Sequence, residues 1–475
     1  MTFVSTPTIA VVGAGASGVA AAAALLRALR HPARVLLFDA RAARGSGVAY
    51  GTLDPDHVLN VPASRMSAVA DDPEHFVRWL REGGSDAATG WRAGPVPDAF
   101  VPRGLYAAYL EDLLRQATAD AASGVLLELM DEEIDGLVRR GAGWRLHARS
   151  GAAWIANVVL LALGYRPPGV PRGIPPEAAR HPRFISDPWG RSAFEAVGTD
   201  EPVLVLGAHL TMVDVALTLD RNGHRGGITA LSPRGLVPLS HGPTEARGAL
   251  AGLDAPPVTI RAILRRVREE AAREEARGGS WRSVADALRS SVPTLWARLS
   301  NVERARFLRH LHPYWEIHRH RLPPSIALHV EAMRSEGRLR VVAGRVRSIE
   351  RRGDSFAVEA APRGGGDPMF LRVDWIVNAT GPTVRYEDDP SPLLSQLLRS
   401  GAVRPGPLGF GLDADAEGAL FDEKGSPHSD LFTLGPPLRG TLWETTAVPE
   451  IRAQAAALAR AFDAKIEAAR RVSAS

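Results

Sequence analysis

The chain has 475 residues, of which 45% are hydrophobic, and this length can supply the cores of two or three domains. It contains no cysteine, which excludes disulfides, thiolate metal sites and redox chemistry through a cysteine pair. The net charge is +4, and the 57 basic residues are scattered among 53 acidic ones, which disfavours a nucleic-acid partner.

The sequence lacks the patterns of a membrane or exported protein. No apolar run approaches the ~20 residues that span a bilayer. The N-terminus has no basic segment followed by a separate apolar segment and a cleavage site. We therefore expect a cytoplasmic protein with no membrane partner.

The first predicted elements form a strand, a glycine turn and a helix, in the stretch "TIAVVGAGASGVAAAAALLRAL" that begins at residue 8. Gly13, Gly15 and Gly18 have the spacing G-x-G-x-x-G, and a second apolar strand, "RVLLFDA", contains Asp39 near its end. In a dinucleotide site these glycines form the turn, admit the pyrophosphate and let the helix pack, while the aspartate accepts the ribose hydroxyls. The sequence therefore predicts a dinucleotide site here.

A second turn of the same kind begins at residue 203, in "VLVLGAHLTMVD". Gly207 is in the first glycine position, and the helix that follows includes Thr211. His209 stands where the second glycine would let the backbone approach a pyrophosphate. The stretch predicts a second dinucleotide-binding unit with an altered ligand site.

Two segments, 131–164 and 344–381, share a layout that supports a duplication. Each is predicted to contain three short strands, the first ending in Arg-Arg and a glycine turn and the last closing on glycine. We predict an α/β fold of two Rossmann-like domains. Each domain has three layers in the arrangement ββα, and the second domain is inserted into the first. The predicted boundaries are 1–168 with 378–475 for the first domain and 169–377 for the second.

A helical insertion is predicted at 256–322, where charged amphipathic patterns replace the strand patterns. Two interpretations remain open at this stage. The insertion is a solvated packing element, or it is a lid that shapes a substrate pocket.

Motifs spread along the chain resemble one family. They include "GSGVAYGTLDPDHVLNVPASRMSAVADDPEHFVRWL", "FVPRGLYAAYLEDLL", "ARFLRHLHPYWEIHRHRLPP" and "LGPPLRGTLWETTAVPEIRAQA". In this order they resemble the bacterial FAD/NAD(P)-binding oxidoreductases of the YdhS-like type, from residue 8 to about residue 460. That family is related to the flavin monooxygenases with two dinucleotide-binding domains.

The resemblance implies FAD in the first site. It places the stretch "LNVPASRMSA" beside the isoalloxazine and "LWETTAVPEI" before a helix whose N-terminus faces the flavin pyrimidine, a placement suited to the negative charge of reduced flavin. The candidate FAD contacts that it adds are Asn60, Arg65, Met66, Ser67, Gly435, Trp443 and Glu444. For Trp443 and Glu444 the alternative is packing and a carboxylate at a helix start.

The second site departs from the family pattern at two positions. The family usually has G-x-G-L-T-M-V-D and S-R-R-G, whereas this chain has His209 in the turn and Pro233 in place of the first arginine. Arg234 and Arg225 are candidate substitutes for a partner of the NADPH 2′-phosphate. Either NADPH or NADH still binds more weakly, through Gly207, His209, Thr211 and Arg234, or this domain has become structural.

The histidine-rich stretch "RHLHPYWEIHRHR" does not predict a metal site, because its spacing splits the histidines between faces and several arginines accompany them. We expect His320 and Arg321 to face the flavin cleft or an anionic substrate. These two residues and His241 are the weak catalytic candidates, and His241 lacks a nucleophile and base arrangement for hydrolysis.

Two other flavoprotein classes leave no fingerprint in the sequence. The stretch "HPRFISDPW" lacks the F-x-G-x-x-x-H linker motif of Baeyer–Villiger monooxygenases, and "NATGP", at 378–382, lacks the A-T-G-Y of N-hydroxylases. Membership of either class is therefore not expected.

The leading functional hypothesis is an FAD-dependent, NAD(P)H-dependent monooxygenase that uses molecular oxygen on a small polar substrate bearing an amine or a carboxylate. One alternative is a flavin dehydrogenase or oxidase reduced directly by its substrate, and another is a non-catalytic flavin-binding protein. The sequence specifies neither the substrate, the choice between NADH and NADPH, nor the oligomeric state.

Overall fold

The computed structural model describes residues 6–40, 44–84, 96–190, 192–253, 255–256 and 258–474. The strands of these ranges are β1 Thr8–Val12, β2 Ala33–Phe38, β3 Val125–Met130, β4 Ile134–Arg140, β5 Gly143–Ala148, β6 Ala153–Ala156, β7 Val158–Leu161, β8 Phe184–Ile185, β9 Val203–Leu206, β10 Ile228–Ser232, β11 Leu339–Arg352, β12 Ser355–Pro362, β13 Met369–Val373, β14 Trp375–Asn378, β15 Ala419–Phe421 and β16 Pro427–Thr433.

The helices lie between these strands and after the last of them. They are α1 Ala16–Ala28, α2 Gly47–Tyr50, α3 His75–Arg81, α4 Arg103–Ala119, α5 Pro176–Ala179, α6 Leu210–Arg221, α7 Ile260–Ala276, α8 Trp281–Arg298, α9 Asn301–Arg306, α10 His312–Arg319, α11 Pro324–Ser335, α12 Pro392–Arg399, α13 Arg439–Leu442 and α14 Val448–Ala474. None of the described helices is long and apolar enough to cross a bilayer.

The first sheet has the strand order β15-β16-β7-β1-β2-β3, and its strands are parallel except β15. Its central strands are buried on both faces, as parallel sheets require. Val11 and Val35 face α1, α4 and α14, whereas Val12 and Leu36 face the antiparallel sheet β4-β5-β6. This arrangement is a Rossmann-like unit of three layers.

The second sheet repeats the plan with the order β13-β12-β11-β10-β9-β14-β8. Strands β11, β10, β9, β14 and β8 are parallel, and β11 continues into an antiparallel meander with β12 and β13. Val205 faces α6 and α11, whereas Leu204 faces β12 and the second half of β11. The predicted duplication is therefore present as two Rossmann-like units.

The prediction of three strands in each repeated segment was wrong, because each segment contains one more. The last apolar run divides at Asn157 in the first segment and at Asp374 in the second. The Asn157 N–H donates to Thr8 O over 2.8 Å, and the Asp374 N–H donates to Pro202 O over 2.9 Å. Because of each bend, the first half of the apolar segment pairs with antiparallel strands and the second half pairs with parallel strands.

The second unit lies within the first along the chain, as predicted. Its strands β8 to β14 fall between β7 and β15, which belong to the same first sheet. The two connecting segments run side by side at an antiparallel bridge between Arg166 and Thr383. The Arg166 guanidinium also binds the buried Asp389 carboxylate over 2.5 Å. The domain boundaries themselves remain a prediction.

The helical insertion comprises α7 to α10. The side chains of Thr259 and Ser280 accept backbone N–H groups at the starts of α7 and α8, as N-caps do. The apolar face of the insertion includes Val284, Leu288 and Trp296, and it packs against Trp443 of the first unit. The insertion is therefore joined to both units.

Candidate functional site

The two glycine turns have the same backbone geometry at the carboxyl ends of β1 and β9. Gly13 has φ +103° and Gly207 has φ +121°, a region that favours glycine. A Cβ atom on Gly13 would lie 2.5 Å from Ala162 O, and one on Gly207 would lie 2.2 Å from Ala379 O. A Cβ atom on Gly18 would lie 1.8 Å from Gly13 O, so glycine is required for close helix packing there.

The residues that precede α1 and α6, in the N-cap position, are Gly15 and His209, and both have extended backbones. Gly15 has φ −70° and His209 has φ −103°, so the His209 backbone has no need of glycine. Among the described residues no side chain caps either helix, and neither helix has an acidic residue in its first turn. In contrast, α7, α8, α9 and α12 are capped by Thr259, Ser280, Ser300 and Ser391.

An uncapped helix start presents backbone N–H groups and the positive end of the helix dipole to an anion. Both turns thus suit the pyrophosphate of a dinucleotide in their backbone. At the second turn the histidine ring takes up space that glycine leaves open. Asp39 lies beside the first turn, where its Oδ2 accepts the Ala14 N–H over 2.9 Å.

Loop residues Asn60 and Arg65 face the second unit and the insertion. The carbonyl oxygen of Asn60 accepts a hydrogen bond from His241 Nε2 over 2.9 Å. Arg65 lies 3.6 Å from Asp286, which also pairs with the buried Arg321. Burial lowers the pKa of His241 to about 4, so its ring is neutral at pH 7. The predicted candidates Arg321 and His241 therefore lie beside the loop that contains Asn60 and Arg65, but the charge of Arg321 is already neutralised.

Met66 and Ser67 point into the first unit. Met66 is 3% exposed and packs in the core, and Ser67 is fully buried. The Ser67 hydroxyl donates to Asp72 O over 2.6 Å, and Arg452 donates to Ser67 O over 2.8 Å. Their side chains hold the loop, so the structure does not support the side-chain contacts to a flavin that we expected from them.

Gly435 follows β16 and lies against the first turn of α1. Its φ is +72°, and a Cβ atom there would lie 2.9 Å from Ser17 Oγ. The Gly435 N–H donates to Gln454 Oε1, and the Thr445 hydroxyl donates to the Gly435 carbonyl. The segment 435–445 is thereby fixed beside the first dinucleotide turn.

A part-buried cluster surrounds Glu316 and includes His209 of the second turn. The Glu316 carboxylate is 3.2 Å from His312 Nε2, 3.3 Å from Arg439 Nη2 and 3.7 Å from His320 Nε2. The ring of His209 packs edge to face on His320, with centroids 6.2 Å apart. We call these five residues the Glu316 cluster. Within the described ranges, no group of three histidine, aspartate or glutamate side chains is arranged to hold a metal ion.

The Glu316 carboxylate stays ionised in this cluster. Burial alone would raise the pKa of Glu316, but the His312 hydrogen bond and the Arg439 charge hold that pKa well below its ordinary value. Burial lowers the pKa of His320 to about 4 and also lowers the pKa of His209. At pH 7 the cluster therefore contains the Glu316 carboxylate, the Arg439 guanidinium and the neutral rings of His320 and His209. His209 Nε2 is buried with no hydrogen-bond partner among the described residues.

Tyr165 reaches the same region from the connection after β7. Burial raises the pKa of its hydroxyl, against the opposing charge of Arg439 and a hydrogen bond with Thr446. The Glu316 and Glu444 carboxylates lie near enough to raise this pKa further. Sequence reasoning missed Tyr165, and its one signal was the position after Gly164, where the predicted strand ends.

Two part-buried ion pairs connect the insertion to the start of α14. Arg319 and Glu444 are 3.1 Å apart and less than a tenth exposed, and Arg289 and Glu450 are 2.6 Å apart. Sequence reasoning also missed Arg319, Arg289 and Glu450. Glu444 thus binds an arginine of the insertion, and the structure supports the packing alternative for this residue.

Trp443 is the centre of a γ-turn with positive φ. Its φ is +61° and ψ −66°, and the Glu444 N–H donates to Leu442 O over 2.8 Å. Its ring stacks on Trp296 at 4.7 Å, and the Arg439 guanidinium lies 4.7 Å from the ring centroid. Three more rings surround it: Phe307, His312 and Phe410. The turn is held in place by packing from the insertion.

Around the second turn, the predicted residues divide between opposite edges of the sheet. Thr211 is on the first turn of α6 and Arg234 follows β10, so both lie at the carboxyl edge with His209. Arg225 precedes β10 and pairs with Asp220 over 3.6 Å, at the amino edge. Because a dinucleotide binds at the carboxyl edge of a parallel sheet, Arg225 cannot substitute for the missing arginine.

Comparisons with known proteins agree with this geometry. Residues 10–166 match the family described as FAD-NAD(P)-binding, and this part of the chain is therefore an FAD/NAD(P)-binding domain. Comparison with curated protein sequences finds no significant match.

Solved structures share the whole fold. The ornithine N-hydroxylase of Kutzneria sp. 744, with reduced FAD, NADP⁺ and L-ornithine, is 14% identical over 97% of this chain and 99% of that chain, with a TM-score of 0.64. The L-lysine 6-monooxygenase of Pseudomonas syringae is 16% identical over 97% of this chain and 99% of that chain, with a TM-score of 0.64. The FAD-bound cadaverine monooxygenase of Erwinia amylovora is 12% identical over 95% of this chain and 93% of that chain, with a TM-score of 0.65. At these identities the similarity shows a common fold, which this chain has without the A-T-G-Y motif.

Proposed function

From the FAD/NAD(P)-binding domain and the shared two-unit fold, we propose that the chain is a flavin-dependent monooxygenase. It takes FAD at the Gly13 turn and NAD(P)H at the Gly207 turn, and it oxygenates a small polar amine with molecular oxygen. A bound FAD supplies hydride acceptance and electron transfer to oxygen, chemistry that no side chain of this cysteine-free chain can supply.

The observation that carries the proposal is a chain of contacts that runs from one turn to the other through the Glu316 cluster. At one end, segment 435–445 touches Ser17 of α1 and contributes Arg439. At the other end, His209 is the N-cap residue of α6 and packs on His320. Hydride transfer needs two cofactors whose reactive rings meet, and a short chain of contacts connecting the two turns is the arrangement that this step needs.

Residues of the first unit are suited to hold the flavin nucleotide. The backbone at Gly15 and the first turn of α1 would bind the pyrophosphate, and Asp39 would accept from the ribose. The loop backbone at Asn60 and the segment after Trp443 border the space between the units. His57 and Arg103 fix the first unit against α6, through Asp214 O at 3.1 Å and the Asp214 carboxylate.

An amine is favoured over an anion by the pairing of the arginines. Arg321, which suggested an anionic substrate, is engaged by Asp286, and Arg319 and Arg289 are engaged by Glu444 and Glu450. Their positive charge is therefore balanced inside the protein. The solved structures that share this fold include enzymes named for ornithine, lysine and cadaverine, and this supports an amine as substrate.

The test is anaerobic rapid mixing of the FAD-loaded protein with NADPH and NADH, followed by turnover with ¹⁸O₂ and a panel of diamines and basic amino acids. We expect the flavin absorbance to bleach with a reduced nicotinamide nucleotide and the label to enter one product. Nucleotide oxidation without label in any product overturns the monooxygenase assignment.

A second candidate is a dehydrogenase or oxidase reduced directly by its substrate. The second turn favours it, because His209 stands where the fingerprint has the glycine that lets a pyrophosphate approach. In the same apparatus this candidate predicts no bleaching with NADPH or NADH and rapid bleaching with the amine. That result would replace the first proposal.

A further inference from the structure

Arg234 lies beside an aromatic side chain of the insertion. It is two residues beyond β10, at the carboxyl edge of the second sheet. Its Nη2 donates to Arg309 O over 2.9 Å, and its guanidinium is 5.9 Å from the centroid of the Tyr314 ring. The insertion thus fixes this arginine near the place where the second strand of a dinucleotide unit ends.

A second arginine reaches the same place from the meander. Strand β12 runs antiparallel to β11, and its last residue, Pro362, pairs with Gly344. The next residue, Arg363, donates its N–H to Ala343 O over 2.9 Å. Ala343 is the partner of Ser232, the last residue of β10. Arg363 therefore emerges one strand away from the end of β10, although 129 positions separate it from Arg234 in the numbering.

Both arginines act on the same tyrosine. A hydrogen bond with Arg363, the Arg363 charge and the Arg234 charge lower the pKa of the Tyr314 hydroxyl. Tyr314 is 40% exposed, so the group lies open to solvent. In the ranges that the structure describes, neither Arg234 nor Arg363 forms an ion pair, whereas Arg225 at the opposite edge pairs with Asp220. Two uncompensated guanidinium groups are therefore available to an anion.

We propose that Arg363 supplies the cation lost where Pro233 replaces the family's arginine, and that Arg363 and Arg234 together bind the 2′-phosphate of NADPH. This inference rests on the proposed function, because it needs a dinucleotide at the Gly207 turn. In Rossmann-like sites the group on the adenosine ribose 2′ position lies beyond the end of the second strand, which here is β10. A phosphate there would take charge-assisted hydrogen bonds from both guanidinium groups.

The chemical prediction is a preference for NADPH over NADH that depends on Arg363. We expect Arg363→Gln to weaken NADPH binding about tenfold and to leave NADH binding unchanged, because only NADPH has the phosphate. Pro233→Arg is expected to tighten NADPH binding. Arg225→Gln is the matched control, since that arginine is on the same sheet at the wrong edge, and it should change neither affinity.

The measurement is equilibrium binding to the FAD-loaded protein by calorimetry, with NADPH, NADH, 2′,5′-ADP and 5′-AMP as probes. Circular dichroism of each variant shows that the fold is kept. If NADPH and NADH bind but Arg363→Gln leaves their ratio unchanged, the inference fails while the proposed function stands. If neither nucleotide binds the FAD-loaded protein, both fail. Equal affinity of the unmodified protein for 2′,5′-ADP and 5′-AMP also overturns the inference.

Discussion

The rings of His209 and His320 pack edge to face, with centroids 6.2 Å apart and an interplanar angle of 86°. His209 is the N-cap residue of α6 in the second unit, and His320 follows α10 of the insertion. This contact places the ring that interrupts the second glycine fingerprint against the insertion. It connects the most unusual position in the sequence to the Glu316 cluster.

Replacing His209 by glycine is expected to tighten NAD(P)H binding about tenfold, which corresponds to about 1.4 kcal/mol. The extended His209 backbone accepts either residue, so the change removes only the side chain at the position where the fingerprint has glycine. Binding is measured by the quenching of protein fluorescence. His209→Ala, which keeps a Cβ atom, should give a smaller gain. A weaker affinity in the glycine variant would instead show that Nε2 donates to the phosphate.

At the first turn, alanine at position 15 should separate cofactor binding from folding. Gly15 has φ −70°, and among the residues that the structure describes a Cβ atom there would meet only Gly47 Cα, at 3.6 Å, an ordinary contact. We expect Gly15→Ala to keep its melting temperature as apoprotein within about 2 °C and to lose FAD affinity, because the Cβ atom blocks the pyrophosphate.

Gly13→Ala is the control for that variant. Gly13 has φ +103°, and a Cβ atom would lie 2.5 Å from Ala162 O, so this change should destabilise the fold itself. Differential scanning calorimetry with and without FAD distinguishes the two. An unchanged FAD affinity in Gly15→Ala would place the cofactor elsewhere.

Acid should destabilise the protein between pH 6.5 and pH 4 through His241 and His320. Burial lowers the pKa of each folded ring from 6.5 to about 4, so the unfolded state binds more protons in this window. The free energy of unfolding therefore falls as the pH falls, by at most about 1.4 kcal/mol per pH unit for each histidine. Their stabilising contribution is complete above pH 6.5.

Urea unfolding at intervals from pH 4.5 to pH 7.5 measures this slope. His241→Gln and His320→Gln should each make it shallower, since glutamine does not titrate. His310→Gln, at an exposed position, is the control and should leave the slope as it is. A slope that neither substitution changes would mean that other groups cause the acid sensitivity.

The fold could be predicted from the sequence because its determinants are local. Gly13, Gly15 and Gly18 are spaced by the geometry of one turn, and the second unit repeats that turn with Gly207. The extra strand in each repeat escaped prediction, because a bend at Asn157 interrupts an apolar run without any glycine or proline.

The candidate site could be predicted only in part, because its residues come from distant segments. Tyr165 comes from a domain connection, Glu316 from the insertion and Arg439 from the segment after β16, and no spacing in the sequence relates them. Arg363 meets Arg234 only through the register of β11 and β12. Such pairings depend on strand register, which a single sequence does not specify at this distance.

Trp443 should show an inverted order of stability for its alanine and glycine variants. Its φ of +61° strains any residue with a Cβ atom by about 1 to 3 kcal/mol, and glycine is free of that strain. Both variants lose the buried ring, which lowers the free energy of unfolding by about 3 to 5 kcal/mol. The free energy of unfolding of Trp443→Gly should nevertheless be about 1 kcal/mol higher than that of Trp443→Ala. Its stacking partner Trp296, in helix α8, provides the matched control, where alanine should be the more stable variant by about 0.5 to 1 kcal/mol. Urea denaturation of the four variants measures both differences. An alanine variant at 443 as stable as the glycine variant would show that the γ-turn relaxes once the ring is gone, and that packing of the ring alone imposes its positive φ.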